Sequence, residues 1–375
     1  MDKLINPSML TLARESRGMT QTELAEAIAV TQGKISKYEN GMLLVVDEDL
    51  DKIVKVLSYT EDLFFQKDQI YGLGSSFLFH RQRKEVPVIL QRKIQAEINI
   101  LRMQVDRLLR SANLETENRF ELLDIDAFNG DAAKIATVAR AAWKIPIGPL
   151  ANVTAVIESA GGIVLQCSFE TRLIDAAHLW LPGLPPLFFV NKDLPGDRPR
   201  WTLAHEIGHA VMHTNPTSED VEDQANQFAS EFLMPAQEIS HQLSGLTIEK
   251  AASLKQHWKV AMSAIIKRAL DLDRIPKSRA KSLFSYLGAH GYRLNEPFPI
   301  PVEEPQIIRQ IVAMHRGPLG YDDLDLARLL FSPGPQFFSA VQSPTILKLD
   351  NRPFFTFCPD IRPRPFPRKE GGGTG

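Results

Sequence analysis

The chain has 375 residues, of which 44% are hydrophobic and 23% charged, a composition that excludes a disordered chain and predicts two or three globular domains. The formal net charge of −2 excludes a protein that is basic overall, so any surface for nucleic acid has to be local. Two widely spaced cysteines, no signal-peptide pattern and no long apolar run predict a cytoplasmic protein without disulfides and without a membrane partner.

The first 66 residues have the spacing of a small all-helical unit. Thr20 is a good N-cap and Glu23 completes a capping box, so a helix is expected to follow Thr20. Thr31 caps the next helix and Gly41 ends it. Two short helices joined by a tight turn predict a helix-turn-helix within residues 1–66.

Polar side chains cluster at the starts of these helices and on one exposed face. They are Gln21, Gln32, Lys34, Lys37 and Asn40. A plain helical bundle explains the apolar spacing but not these polar residues, whereas contacts to phosphates and base edges are made from such positions. We therefore predict that residues 1–66 bind an operator in DNA. Acidic residues follow the motif, so useful affinity is expected to need a homodimer.

The segment resembles the helix-turn-helix of XRE-type phage repressors over nearly its whole length. The resemblance implies that Gln32 and Lys37 reach base edges, and that Gln21, Lys34 and Asn40 lie nearer to phosphates. Gly33 departs from the pattern, because a base-contacting side chain often stands at that position.

Residues 67–125 are predicted to be a linker with one long amphipathic helix. From Val88 to Leu109 there is no glycine or proline, and an apolar stripe recurs at helical spacing. The basic residues expected on the wet side are Arg92, Lys93, Arg102, Arg107 and Arg110. We favour a spacer that packs against the next domain over a dimer helix or an extra phosphate-binding surface.

Residues 126–275 are predicted to be a second domain, mainly α with a small β-sheet. Helices are expected at 132–143, 149–160 and 254–270, and strands at 163–165 and 187–190. An exposed strand edge there would hold an extended peptide by β-augmentation. Asp175 and His178 lie between the strands, where they either line a cleft or form a structural polar pair.

Residues 205–209 of this domain read His-Glu-Ile-Gly-His, a His-Glu-x-x-His motif. On an α-helix His205 and His209 lie one turn apart on the same face, which lets two imidazoles bind one zinc ion. Glu206 lies beside them, where it can act as the general base towards water activated by the metal. The apolar flanks predict a buried helix, and a buried helix does not carry His, Glu and His without partners.

A second amphipathic helix downstream supplies a candidate third ligand. Glu222 precedes Ala225 by three residues and therefore projects from the apolar face towards the first helix. Glu219 and Asp223 are the competitors, and they suit a solvated face or a cap better. His213 is too far along the first helix, about 12 Å from His205, to share the metal, so we expect it to have a supporting or structural role.

The stretch 202–213, followed by Glu222-x-x-Ala-Asn-x-Phe-Ala and Leu-Met-Pro235, resembles the ImmA/IrrE family of zinc metallopeptidases. The resemblance implies a zincin-like domain in which His205, His209 and Glu222 hold zinc and Glu206 is the catalytic glutamate. It also implies a regulatory endopeptidase whose protein substrate is a repressor or an antitoxin.

Residues 276–375 are predicted to be a C-terminal extension. The composition shifts towards proline from Pro297, and the glycine-rich end is expected to be disordered. We see no motif that assigns a chemistry to the last 80 or so residues.

Two functions are consistent with these patterns. We favour a zinc-dependent endopeptidase that acts in transcriptional control through its DNA-binding domain. The alternative is a transcription regulator whose peptidase-like domain is a metal-binding sensor with little or no catalysis. A helical scaffold without metal would leave the His-Glu-x-x-His motif unexplained.

Overall fold

The structure is a computed structural model that describes residues 4–72, 86–110, 119–213, 220–292 and 295–332. These residues form fifteen α-helices and one three-stranded sheet, so the predicted α+β class, mainly α with a small β-sheet, is confirmed. Among the described residues, no helix is both long and apolar enough to cross a bilayer.

The N-terminal unit is a bundle of four short helices. They are α1 (Pro7–Ser16), α2 (Gln21–Ala27), α3 (Gln32–Glu39) and α4 (Asp47–Leu57). The predicted capping box is confirmed, because the Thr20 hydroxyl accepts from the Glu23 amide while the Glu23 carboxylate accepts from the Thr20 amide. The Thr31 side chain likewise accepts from the Lys34 amide at the start of α3. Together, α2 and α3 form the helix-turn-helix.

The long helix predicted from Val88 is α5 (Val88–Arg110), and it belongs to two hydrophobic cores. One face places Ala96, Ile100 and Met103 in the core of the N-terminal unit. Another face contributes to a core that includes the sheet, through Ile94, Ile98, Val105 and Leu108. The prediction of a spacer packed against the following domain is therefore incomplete, because both units share this helix.

The prediction that five basic residues lie on the wet side of α5 is wrong for Arg102, and Arg107 is only partly exposed. Arg102 is 3% exposed and donates to Asp68 and to the carbonyl of Gln69. The Arg107 guanidinium lies 4.4 Å from the centre of the Phe331 ring. Packing on both sides of α5 covers surface that an amphipathic pattern assigns to water.

The second unit packs helices around the sheet. Its helices are α6 (Ala132–Ala142), α7 (Val153–Ser159), α8 (Asp197–Met212), α9 (Val221–Leu233), α10 (Ala236–Ile239), α11 (Ile248–Trp258), α12 (Met262–Asp271) and α13 (Lys277–Ala289). Its strands are β1 (Ile163–Cys167), β2 (Ala176–Leu179) and β3 (Leu187–Asn191).

In the sheet, the buried β3 lies in the middle, parallel to β1 and antiparallel to β2, with His178 of β2 opposite Phe188. Within the described residues β2 pairs with no strand other than β3, but all four of its residues are buried, so the expected exposed strand edge is not found there.

Two elements of this unit differ from the prediction. Strand β2 was not predicted, because four residues are too few to establish an alternating pattern. The helix predicted over 254–270 is two helices, α11 and α12, separated at Lys259, whose φ is +54°. The buried Arg200 donates to the Lys259 carbonyl at 2.9 Å, which helps to hold this break.

Residues 295–332 fold back over both units. Glu303 pairs with the buried Arg200, and Glu158 accepts from the amides of Gln306 and Ile307 at 3.0 Å. Helices α14 (Ile307–Arg316) and α15 (Asp323–Leu329) follow. Phe331 is then fully buried in the core of the N-terminal unit. The predicted disordered end, within residues 333–375, lies outside the described residues.

Candidate metal centre

The His-Glu-x-x-His motif lies in the second half of α8, which packs directly on α9. Gly208 allows this approach, because a Cβ at that position would lie 3.1 Å from the Phe228 side chain. Leu203, Ile207 and Val211 are buried on the same helix. The sequence therefore makes α8 a buried helix whose histidine face points towards the start of α9.

Three side chains converge where these helices meet. The Nε2 atoms of His205 and His209 lie 3.0 Å apart. Glu222, in the first turn of α9, places Oε1 3.1 Å from His209 Nε2 and Oε2 3.6 Å from His205 Nε2. These three residues form a cluster whose ligand atoms all lie within 4.8 Å of one another.

The donor set and its spacing fit a tetrahedral metal ion. Four ligands held at 2.0–2.1 Å, the usual zinc distances for nitrogen and oxygen, are separated from each other by about 3.3 Å. The observed separations of 3.0, 3.1 and 3.6 Å bracket that value. Glu222 Oε1 is buried, and within the described residues it makes no well-aligned hydrogen bond even though His209 Nε2 is near. A cation at this point would satisfy it.

The two competing acidic residues do not join this cluster. Asp223 is exposed on the opposite side of α9 from its buried residues. Glu219 lies outside the described residues. Of the three candidates for a third ligand, Glu222 is the one that the described residues bring to the histidines.

The five predicted DNA contacts lie on or beside α2 and α3. Gln32, Lys37 and Asn40 are exposed. The Gln21 amide donates to Glu39 at 2.8 Å, and its oxygen accepts from Gln32 at 2.7 Å. The two glutamines that begin α2 and α3 are therefore held together.

Lys34 is partly engaged within its own unit. Its Nζ lies 2.6 Å from Asp49 Oδ2, which also accepts from the Tyr38 hydroxyl. Hydrogen bonds to Asp49 and Tyr38 raise the pKa of Lys34. The roles assigned to all five residues in reading DNA stay predictions.

Part of each unit matches a known family. Residues 10–64 match the helix-turn-helix family model, and residues 158–270 match the model of the IrrE N-terminal-like domain of the peptidase M78 family. The chain joins a helix-turn-helix domain to an IrrE-like peptidase domain. No curated protein matches the chain.

Glu206, next to His205 on α8, contacts His178 of β2. Its Oε2 lies 2.6 Å from His178 Nδ1, and both side chains are buried. Burial raises the pKa of Glu206, but the hydrogen bond and charge of His178 outweigh it and lower the pKa to about 2. The residue therefore remains a carboxylate at neutral pH.

Asp175 and His178 do not form the polar pair that the sequence left open. Asp175 accepts from Arg198 Nε at 2.6 Å, while His178 contacts Glu206. Of the two alternatives, His178 fits the one in which it lines the site, because its ring also stacks near that of His209, with 6.2 Å between centroids.

The electrostatics of the IrrE-like domain favour a charged carboxylate beside the histidines. Burial raises the pKa of Glu222, but the neighbouring His205 and His209 outweigh it and hold this pKa well below its usual range. Burial lowers the pKa of His209. Glu222 is therefore ionised and His209 favours its neutral form, and these are the protonation states in which a carboxylate and an imidazole bind a metal.

His213, expected to have a supporting or structural role, and two side chains that the sequence did not single out, Gln224 and Asn226, contact the far sides of the two histidines. His205 Nδ1 lies 3.2 Å from Asn226 Oδ1. His209 Nδ1 lies 3.0 Å from His213 Nδ1, and His213 Nε2 lies 2.8 Å from Gln224 Oε1. Asn226 stands one helical turn after Glu222 on α9, and that spacing was the signal available in the sequence.

Proposed function

We propose that the chain is a zinc-dependent regulatory endopeptidase that carries its own DNA-binding domain. The observation that carries the proposal is the convergence of His205, His209 and Glu222 on one point with a buried, ionised Glu206 beside it. Membership of the IrrE-like family supports a peptidase-like domain.

His205, His209 and Glu222 would hold the zinc ion. Bound there, zinc would polarise the scissile carbonyl and lower the pKa of water towards about 7. Glu206, as a carboxylate, takes the proton from the attacking water and later gives it to the leaving amine. His178 holds one oxygen of Glu206 at 2.6 Å and so fixes the direction in which the carboxylate faces.

We place the extended substrate beside β2, where His178 contacts Glu206 of α8. We propose that the substrate is a repressor or an antitoxin-like protein, recognised through an extended segment.

The helix-turn-helix domain would bring this activity to an operator, where the chain binds as a homodimer. We propose domain limits of 1–66 for DNA binding, 67–125 for the linker, 126–275 for the peptidase and 276–375 for the C-terminal extension. Helix α5 and residues 295–332 contact both units, so the peptidase would be carried in a defined orientation.

The test does not need the natural substrate. Zinc-loaded protein is incubated with a peptide library made from a whole proteome, and new N-termini are identified by mass spectrometry. Wild type, Glu206→Gln and wild type with a chelator are compared, each with and without DNA selected by the protein.

Cleavage that disappears both in Glu206→Gln and with the chelator supports the endopeptidase. If zinc-loaded wild type cuts nothing under any of these conditions, the proposal of catalysis fails. A metal-binding sensor would then be the better description of the peptidase-like domain.

A further inference from the structure

A line of hydrogen bonds runs from His209 away from the ligand cluster. His209 Nδ1 is 3.0 Å from His213 Nδ1, and His213 Nε2 is 2.8 Å from Gln224 Oε1. His213 is the C-cap residue of α8, and Gln224 stands in the first turns of α9. The line therefore ties together the two helices that carry the three candidate ligands.

The amide oxygen of Gln224 determines which nitrogen carries the proton in each of these two hydrogen bonds. Gln224 presents an oxygen, which only accepts, so the proton between Gln224 and His213 belongs to His213 Nε2. A neutral imidazole that donates from Nε2 has a bare Nδ1, which accepts. The proton between the two histidines therefore belongs to His209 Nδ1.

That assignment leaves His209 Nε2 without a proton. This is the atom that faces His205 and Glu222. A histidine binds a metal through an unprotonated nitrogen, and the group that accepts from its other nitrogen sets the tautomer and the ring orientation. Gln224 thus acts on the ligand atom through two intervening hydrogen bonds.

We propose that His213 and Gln224 are positioning residues that hold His209 in its metal-binding tautomer. The proposal rests on the metal site of the proposed function. It assigns to His213 a specific task beyond capping α8, which its backbone amide performs through the His209 carbonyl.

Zinc affinity separates this task from a merely structural one. Affinity is measured by competition with a chromophoric chelator, for the full chain and for His213→Leu, Gln224→Leu and Gln224→Glu. We expect a loss of about 10- to 100-fold in His213→Leu, the usual effect of removing such an outer partner. Gln224→Leu should lose affinity too, since it leaves both imidazoles in place but removes the acceptor.

Gln224→Glu is the rescue variant, because its carboxylate oxygen accepts the same hydrogen bond and should keep wild-type affinity or better. His241→Leu is the matched control, because His241 is an exposed histidine in the same domain and should leave affinity unchanged. Ring-nitrogen NMR of the metal-free protein reads the tautomer directly, with Nε2 of His213 protonated in wild type.

The outcomes distinguish this proposal from the metal site on which it rests. If wild type binds zinc tightly and both leucine variants bind within about threefold of it, the positioning role is wrong while the metal site stands. If Gln224→Glu loses affinity as Gln224→Leu does, the acceptor is not what matters and the proposal is also wrong. If wild type binds no zinc, the metal site and this proposal are both overturned.

Discussion

His178 Nδ1 lies 2.6 Å from Glu206 Oε2, across the contact between β2 and α8. His178 is 8% exposed and Glu206 is 1% exposed, so the bond is shielded from solvent. A charge-assisted hydrogen bond in such a place is short and directional. It restrains the carboxylate proposed as the general base without touching the three candidate metal ligands.

Replacing His178 by phenylalanine should therefore lower turnover but not zinc content. The ring keeps its packing beside Phe188, while Glu206 loses the partner that orients it. We expect a fall in kcat/KM of about 10²-fold, the scale on which a misplaced catalytic group reduces rate. Turnover of a library-derived peptide and zinc per chain are measured on the same sample. Wild-type turnover in His178→Phe would show that Glu206 needs no such restraint.

The convergence of the three candidate ligands could be predicted because it depends on spacing within helices. His205 and His209 follow from four-residue spacing, and Glu222 follows from its offset from Ala225. The partner of Glu206 could not be predicted in the same way. His178 lies 28 residues away on a strand of four residues, and its contact depends on how the sheet packs against α8.

The long helix shows a second limit of local patterns. Its apolar stripe predicted α5 almost to the residue, yet Arg102 is buried on a face that the pattern assigned to water. An amphipathic pattern shows how apolar each face of a helix is. It does not show how many neighbouring units pack against that helix. An arginine can also be buried where a carboxylate accepts from it, as Asp68 does here.

DNA binding is tested by three substitutions on α3. Gln32→Ala and Lys37→Ala should each weaken binding to a selected operator by about 1–3 kcal/mol, if they contact base edges. Lys34→Ala should weaken binding to all sequences alike and reduce the slope of log affinity against log salt by about 1.

Fluorescence anisotropy at several salt concentrations separates these two patterns. Lys134→Ala is the matched control, because Lys134 is an exposed lysine on α6, in the second unit. If the α3 variants behave like this control, the helix-turn-helix contacts something other than DNA bases and phosphates.

Phe331 connects the C-terminal segment to the DNA-binding domain. Its side chain is fully buried, and its carbonyl accepts from the Thr60 amide at 2.9 Å. Phe331→Ala should destabilise the N-terminal unit by about 3–5 kcal/mol, the usual cost of truncating a buried phenylalanine. Phe298→Ala is the control, since Phe298 is 53% exposed and should cost little. Urea unfolding of both variants checks this, and an equal effect would contradict the packing.

The packing of residues 295–332 against Glu158 should become less stable as pH rises. Burial raises the pKa of Glu158 to about 7, although the amides of Ile307 and Gln306 lower it. The same carboxyl in an unfolded chain titrates near about 4.3. Between these pH values the docked state keeps a proton that the released state has lost, so docking loses stability as pH rises, by at most about 4 kcal/mol in total.

Hydrogen exchange of the α14 amides, corrected for the intrinsic pH dependence of exchange, measures this effect. Protection in wild type should fall between about pH 4.5 and 7 and should change much less in Glu158→Gln. Glu304→Gln is the control, because Glu304 is a partly exposed carboxylate on the same segment, paired with Arg309 at 2.8 Å. Rising protection across this window would contradict the sign of the shift.

Zinc content and proteolysis, measured together in wild type, Glu222→Ala and Glu206→Gln, test the proposed enzyme most directly. Wild type should carry about one zinc per chain, and Glu222→Ala should lose zinc and activity together because a ligand is gone. Glu206→Gln should keep its zinc while proteolysis falls by about 10²-fold or more, because only the base is gone. Wild type purified without any transition metal, or Glu206→Gln with full proteolysis, would contradict a zinc peptidase in which Glu206 is the general base.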